Sequence, residues 1–507
     1  MVGSGSRRLP GKEQRPRPPT AMSTPAYPPA DEIAPPRREP RALPRLAEGL
    51  VGDGTVLVAV DDDPTGAQTV HDVPLVTAWS DRELRWGLRH ARTRGLLFVL
   101  TNSRSLDPDA AHRVATEVAT TLARAATSVG VTVRLLSRGD STLRGHYPVE
   151  TDALAAAWRR ATGEATDAVV LCPAYHEAGR VTVGGQHLVR VEGVWTPAER
   201  TEFSRDATFG FTAGDLPGWV AERSGGRISP AEVTVVDLAT IRQGGVAGVV
   251  ALLDRRLSDR NPSSPPAVVA LDAAAAEDME VTALALAELE RAGHRFLYRT
   301  GPAYVRVRAG LPSAAPLQPA PVPRESGVLV VVGSHTALTT AQTAALRAAR
   351  PLVDVTLPVD TLLTAPDDVV DEAARRVVGA LRRGDDVLLE TSRALRRGVD
   401  AADSLRIARV VSRALVSVVR AVRRECPPSC VVAKGGITSH EVAVHGLGVR
   451  RARVLGSLLP GAVSLWQPLD LDGRPAGPRY TVFPGNVGDE GSLVEVVHRV
   501  APAPARG

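Results

Sequence analysis

Short β-branched runs, each followed at once by a polar, glycine-bearing turn, recur along this chain and constrain its fold more than any other feature. Thr55-Val-Leu-Val-Ala-Val60 runs into Asp61-Asp-Asp-Pro-Thr-Gly66, and Leu96–Leu100 into Thr101-Asn-Ser-Arg-Ser105. Val131–Leu136 runs into Ser137–His146, and Ala168–Cys172 into Pro173–Arg180. Between them lie Ala-, Arg- and Leu-rich stretches with helical periodicity, such as Asp109–Ala126 and Val149–Ala161. Strands that alternate with helices predict a parallel sheet covered on both faces. Ligands of such sheets bind beyond the carboxyl ends of the strands, where the polar clusters of this sequence fall.

Runs at Glu232–Val236 and Ala267–Leu271 complete the first series, and the Pro/Ala-rich Gly310–Glu325 interrupts it. The pattern then restarts: Val328–Val332 leads into Gly333-Ser-His-Thr336, Val387–Glu390 into Thr391-Ser-Arg393, and Cys430–Ala433 into Lys434-Gly-Gly-Ile-Thr-Ser439. The expected fold class is α/β, with two α/β domains, each a mainly parallel sheet flanked by helices, and a ligand cleft between them. The expected division is a disordered Pro/Arg-rich tail at 1–48, a first domain at 49–309, a linker at 310–326 and a second domain at 327–507. A chain of 507 residues is long enough for two such cores.

The net charge of +5 suggests a polyanion binder until its distribution is considered. Residues 1–48 hold nine Lys+Arg against five Asp+Glu, so the remainder is almost neutral and has no basic stripe for nucleic acid. No apolar run reaches the ~18 residues of a membrane span. Cys172, Cys426 and Cys430 are too few for a disulfide framework and fit a reducing, cytoplasmic setting. The C-x-x-x-C pair offers too few ligands for structural zinc. His440-Glu441 with His445 resembles a zinc-protease motif with one residue too many, because histidines five apart do not share an α-helical face. No metal-ligating residue is therefore expected.

Three adjacent carboxylates, Asp61, Asp62 and Asp63, repel one another unless a cation, a metal or ligand hydroxyls sit among them. They end a strand, and Thr65 and Gly66 follow. The plain alternative is an acidic turn that caps a helix. Asp140-Ser-Thr-Leu-Arg-Gly145 offers a carboxylate, two hydroxyls and a guanidinium in one loop. Asp140 and Ser141 can bond ligand hydroxyls, Arg144 can hold a carboxylate through two parallel hydrogen bonds, and Arg104 is a further clamp. The alternative is a helix start with Arg144 in solvent. His176, Glu177 and Arg180 form a lesser group.

The second half is different in character. Gly333-Ser334, the Gly435-Gly436-Ile437-Thr438-Ser439 turn and Gly485-Asn-Val-Gly488 each supply small residues where backbone N–H groups can meet phosphate. Lys434, one of only two lysines in the chain, adjoins the second turn and suits a polyphosphate. No G-x-x-x-x-G-K-[ST] occurs, so this is not a Walker-type site.

In this order the motifs resemble the four-carbon acid sugar kinase family, from about Val56 to Val497. Its Asp-Asp-x-Thr-Gly corresponds to Asp62–Gly66, and its Asp-Ser-Thr-Leu-Arg-Gly to Asp140–Gly145. Its Gly-Ser corresponds to Gly333-Ser334, its Gly-Gly-x-Thr to Gly435–Thr438, and its Gly-Asn-x-Gly to Gly485–Gly488. Many members read Ala-Asp-Asp-Leu-Thr-Gly-Ala-Asn-Asp where this chain reads Asp61-Asp-Asp-Pro-Thr-Gly-Ala-Gln-Thr69. The resemblance implies ATP-dependent phosphorylation of a threonate-, erythronate- or 3-oxo-tetronate-like acid at its terminal hydroxyl. It implies an N-terminal domain for the acid and a C-terminal domain for ATP.

The resulting expectation gives Asp62 or Asp63 the attacking hydroxyl and its proton. The acid is held by Asp62, Asp63, Thr65, Arg104, Asp140, Ser141 and Arg144. ATP is held by Ser334, Lys434, Gly435, Gly436, Ile437, Thr438, Ser439 and Gly485, with Mg2+ on its phosphate oxygens. The partners are small molecules, neither nucleic acid nor membrane, and a homodimer is left open. The rival is an aspartyl-phosphate hydrolase, whose D-x-D-x-T opening fits Asp61-x-Asp63-x-Thr65 with Asp61 as nucleophile. A non-catalytic acid-sugar sensor is a second rival.

Overall fold

The structure is a computed structural model that describes residues 34–258, 264–320, 326–393, 396, 398–399 and 401–501. Its N-terminal half carries β1 (Thr55–Asp61), β2 (Val73–Val76), β3 (Leu96–Leu100), β4 (Thr132–Arg138) and β5 (Ala168–Cys172). It continues with β6 (Arg180–Val183), β7 (Gln186–Val191), β8 (Val194–Pro197), β9 (Val233–Val236), β10 (Ala267–Leu271) and β11 (Phe296–Thr300). Its C-terminal half carries β12 (Val328–Val332), β13 (Val353–Leu357), β14 (Val387–Thr391), β15 (Cys430–Lys434), β16 (Arg451–Leu459), β17 (Val463–Pro468) and β18 (Arg479–Phe483).

The predicted parallel ladders are present in both halves. In the first, β2-β3-β1-β4-β11-β5-β10-β9 lie side by side; in the second, β13-β14-β12-β15-β18 do. β1, β3, β5, β12, β14 and β15 are buried at every position, because helices cover both faces. Each Val or Leu fully removed from water there contributes about 1.5–3 kcal/mol. Leu84, Trp86, Leu122 and Leu154 pack on the first sheet, and Leu346, Val496 and Val497 on the second. The helices stop where local chemistry dictates. Pro108–Val129 opens with the Asp107 carboxylate accepting from Ala110 N–H at 2.8 Å and closes at Gly130, whose φ is 70°.

The two sheets are not separate. The antiparallel pair β16–β17 joins β18 to β2, which makes one 15-stranded sheet. Three successive antiparallel pairings, β18–β17–β16–β2, make the strands of the two halves run in opposite senses. Six inter-strand steps separate β1 from β15. At roughly 20–25° of twist each, they accumulate on the order of 120–150°, which turns the opposed carboxyl edges toward one side. β6, β7 and β8 form a small separate antiparallel sheet.

The tail expectation is corrected in part. Residues 1–33 lie outside the described residues, but 34–48 are folded. A helix spans Ala42–Gly52 with Ala42, Leu46 and Leu50 buried, and Arg242 Nη1 donates to Ala34 O at 2.6 Å. The apolar stripe of that helix outweighs its Pro/Arg-rich flank. In the expected linker, Leu317 N–H reaches Ser457 O at 2.7 Å, and 321–325 lie outside the described residues. Among the described residues no helix is long and apolar enough to cross a membrane.

Candidate active site

Parallel strand ends bring the acidic cluster and its cations together. β1 delivers Asp61 and the turn after it, β4 delivers Arg138, β11 delivers Arg299, and the turn after β3 delivers Arg104. Arg104 Nη2 bonds Asp62 Oδ1 at 2.5 Å, and its Nη1 bonds Asp63 Oδ2 at 3.2 Å. Arg138 pairs with Asp61 and donates to Asp63 O at 2.6 Å. Arg299 lies 3.6 Å from Asp62 Oδ2 and 3.3 Å from Glu150. The mutual repulsion expected of three carboxylates is thus offset by three guanidinium groups.

The environments separate the three acids. Burial raises the Asp61 carboxyl to about 7 despite Arg138. Asp63 is also desolvated, but Arg104 and Arg138 hold it below the usual carboxylate range, and the Thr65 hydroxyl and N–H both bond its Oδ1. Asp62 is 2% exposed, and its Oδ2 has no hydrogen-bond partner. Gly145 leaves room for that oxygen: its φ is 119°, and a Cβ there would lie 2.9 Å from Asp62 Oδ2 and 2.5 Å from Arg299 Nη2.

The second loop lies beside the first. Arg144 Nε donates to Asp140 Oδ2 at 2.7 Å, and its guanidinium sits 5.4 Å from the Phe203 ring centroid. Asp140 is desolvated, yet Arg104 and Arg144 hold it far below its ordinary value. The buried His187 fixes the loop by bonding Ser141 O at 2.8 Å. A narrow cleft is lined here by Asp140, Arg144 and Arg299 on one side and by Leu143, Leu216 and Trp219 on the other.

In the C-terminal half the glycine turns converge. The hydroxyls of Thr336 and Thr339 lie 3.0 Å from Gly485 O, and Thr339 Oγ1 also bonds Ser334 Oγ at 3.0 Å. Gly435 holds φ at 116° with its N–H on Phe483 O at 2.8 Å, and a Cβ on it would lie 3.3 Å from both Ser334 Cβ and Thr438 Oγ1. Gly436, Ile437 and Thr438 form the open edge, with Ile437 62% exposed.

Two residues expected to touch a nucleotide face inward. Lys434 is 0% exposed; its Nζ donates to Pro484 O at 2.7 Å and lies 3.9 Å from the Phe483 ring centroid. Ser439 is also 0% exposed and donates to Ala433 O at 2.9 Å. Both support the turns from behind, because the strand end and the short helix point these side chains into the core. Desolvation lowers the Lys434 ammonium to about 7.

The two halves meet at these loops. A Cβ on Gly436 would stand 3.8 Å from Asp63 Oδ2, so the acidic cluster faces the glycine turn directly. The hydrolase rival fits poorly, since Asp61, its required nucleophile, is 1% exposed and held by Arg138. All three cysteines are free of disulfides, and burial pushes the Cys430 thiol up to about 12.

Residues 57–308 match the family described as the sugar-binding N-terminal domain, and residues 329–493 match the nucleotide-binding C-terminal domain. The chain belongs to the four-carbon acid sugar kinase family. Two curated relatives of this family member are each 29% identical to it. A D-threonate kinase of Cupriavidus necator matches over 52% of this chain and 58% of its own length. A D-erythronate kinase of Heliobacterium modesticaldum matches over 53% and 54%. The matched stretch thus spans little more than half of either relative. A crystal structure of a Haemophilus influenzae protein assigned to DUF1537 shares the fold, with a TM-score of 0.55 at 16% identity over 90% of this chain and 97% of that one.

For this acid sugar kinase family member, the sequence reading missed Arg138, Arg299 and Arg393. Arg138 and Arg299 sit near the ends of buried strands, where a charge in an apolar run is the available signal. Arg393 follows β14, and its Nη1 donates to Ser334 O at 2.6 Å, which places a cation beside the first glycine turn.

Proposed function

We propose that the chain is an ATP-dependent kinase that phosphorylates the terminal hydroxyl of a four-carbon acid sugar of the threonate, erythronate or 3-oxo-tetronate type. Residues 49–309 take the acid and residues 327–507 take the nucleotide. The observation that carries this reading is the 3.8 Å approach between Asp63 Oδ2 and the Cβ position of Gly436, which sets the acidic loop against a phosphate-sized turn. Phosphoryl transfer asks mainly for positioning and charge neutralisation, and these two loops supply both.

Arg144 has its Nε on Asp140 and its Nη1 3.8 Å from Asp206 Oδ2, which leaves Nη2 to hold the substrate carboxylate. Arg104 spaces Asp62 and Asp63. Asp62 accepts the attacking hydroxyl's proton, with Arg299 3.6 Å from its Oδ2, and Asp140 and Ser141 bond the remaining hydroxyls. Thr65 orients Asp63. Ser334, Gly435, Gly436, Thr438 and Gly485 hold the phosphates, with Arg393 as the adjacent cation and Ile437 as apolar cover. Mg2+ fits as an ion carried by the nucleotide: Asp63 is the carboxylate facing the turn, and the ion would neutralise phosphate charge there.

Incubation with MgATP and a panel of D- and L-threonate and erythronate tests the reading. ADP and a phosphorylated acid should form together in equal amounts. Phosphate release from sugar phosphates without ATP, and no ADP with any acid, would replace it with the hydrolase.

A further inference from the structure

The short helix Gly436–Glu441 does not continue as an α-helix. It passes into a π-turn over Val442–Gly446, in which Leu447 N–H bonds Val442 O at 2.8 Å. This widening removes the objection that histidines five apart face different ways, because an i→i+5 turn returns to the same face after five residues. The rings of His440 and His445 meet edge to face with centroids 6.1 Å apart, and Glu441 Oε1 lies 3.9 Å from His445 Nε2. One ligand atom from each of the three residues lies within 4.8 Å of the others. His440 is 8% exposed, and its buried Nδ1 has no hydrogen-bond partner.

We propose that His440, Glu441 and His445 form a binding site for a divalent transition-metal ion, Zn2+ in the first instance. Two imidazoles and one carboxylate are a borderline-soft donor set that suits zinc and leaves a fourth position for water. The same set does not suit Mg2+, which takes oxygen ligands in an octahedron, so this site is distinct from the ion that accompanies ATP. Tetrahedral zinc with bonds of about 2.0–2.1 Å needs its ligands about 3.3–3.4 Å apart. The atoms, at most 4.8 Å apart, must close by up to about 1.5 Å on that basis, and the 3.9 Å Glu441–His445 pair by only about 0.5 Å. Glu441 and His445 are free to do so, with side chains 30% and 51% exposed, while His440 is the fixed member. The site lies on the helix that begins at Gly436, so a bound ion ties the π-turn to the glycine turn. Metal binding itself does not depend on the kinase reading.

The test is titration of tag-free, chelator-treated full-length protein with Zn2+ by calorimetry and with Co2+ by visible absorption. One equivalent should bind. His445→Gln, at a half-exposed position, should weaken binding by more than the roughly 10- to 100-fold that loss of an outer-shell partner costs. His440→Asn combined with His445→Gln should abolish it, and Cys426→Ser should leave it unchanged. No saturable binding in the wild type, full binding in the double variant, or loss in Cys426→Ser overturns the assignment.

Discussion

The two loop clusters that face each other across Asp63 and Gly436 solve opposite electrostatic problems. The N-terminal cluster is dense in charge: Asp61, Asp62, Asp63 and Asp140 are interlocked with Arg104, Arg138, Arg144 and Arg299. The C-terminal cluster carries few charges and is built from glycines, the hydroxyls of Thr336 and Thr339 on Gly485 O, and those of Ser334 and Thr438 beside Gly435. Its lysine is turned inward. A small hydroxy acid needs its carboxylate and each hydroxyl recognised by a directed partner. A phosphate chain brings its own charge and needs backbone donors at close approach. On the proposed function, the difference teaches that the charged half would supply the chemistry and discrimination, and the glycine-rich half the close approach to phosphate.

If that contrast is right, damage should sort by half. Asp62→Asn should reduce turnover by roughly 100-fold or more with little change in the KM for ATP, since it removes a proton acceptor. Arg144→Ala should raise the KM for the acid roughly 10- to 150-fold, the range of a charged hydrogen bond worth about 1.5–3 kcal/mol. Thr438→Val should raise the KM for ATP only about 2- to 12-fold, because one neutral hydrogen bond is worth about 0.5–1.5 kcal/mol. Steady-state kinetics with each substrate varied separately reads all three. An Asp62→Asn enzyme with normal turnover, or a Thr438→Val effect on the acid, would break the division.

The smallest effect concerns stability. Asp61 ionises near 3.8 when unfolded and only at about 7 when folded, so between those values unfolding releases its proton. Its contribution is fully present below pH ~4 and is lost as pH rises through about 7. Asp61→Asn should flatten the fall of Tm with pH across that window. An unchanged slope would mean that Arg138 keeps Asp61 ionised throughout.

Much of the fold was legible because its strands are buried on both faces and read as uninterrupted β-branched runs. Leu96–Leu100, Ala168–Cys172 and Val328–Val332 coincide with strands to the residue. The joining strands β16 and β17 were not, since β16 alternates buried and partly exposed positions and carries Arg451 and Arg453. Missing them hid the continuity of the sheet. The acidic and glycine turns stood out as motifs, whereas Arg138 and Arg299 did not, because their partners lie far along the chain. Lys434 was singled out by its rarity, but rarity does not reveal which way a strand end points its side chain. The π-turn that aligns His440 with His445 has no residue signature that a helical periodicity would expose.

The central claim is that acid and nucleotide occupy separate, facing clusters. Calorimetric titration of D-threonate, D-erythronate and a non-hydrolysable ATP analogue into wild type, Arg144→Ala and Thr438→Val tests it most directly. Both ligands should bind the wild type together, with Arg144→Ala weakening only the acid and Thr438→Val only the nucleotide. Mutual exclusion of the two ligands, or one variant weakening both equally, would contradict it.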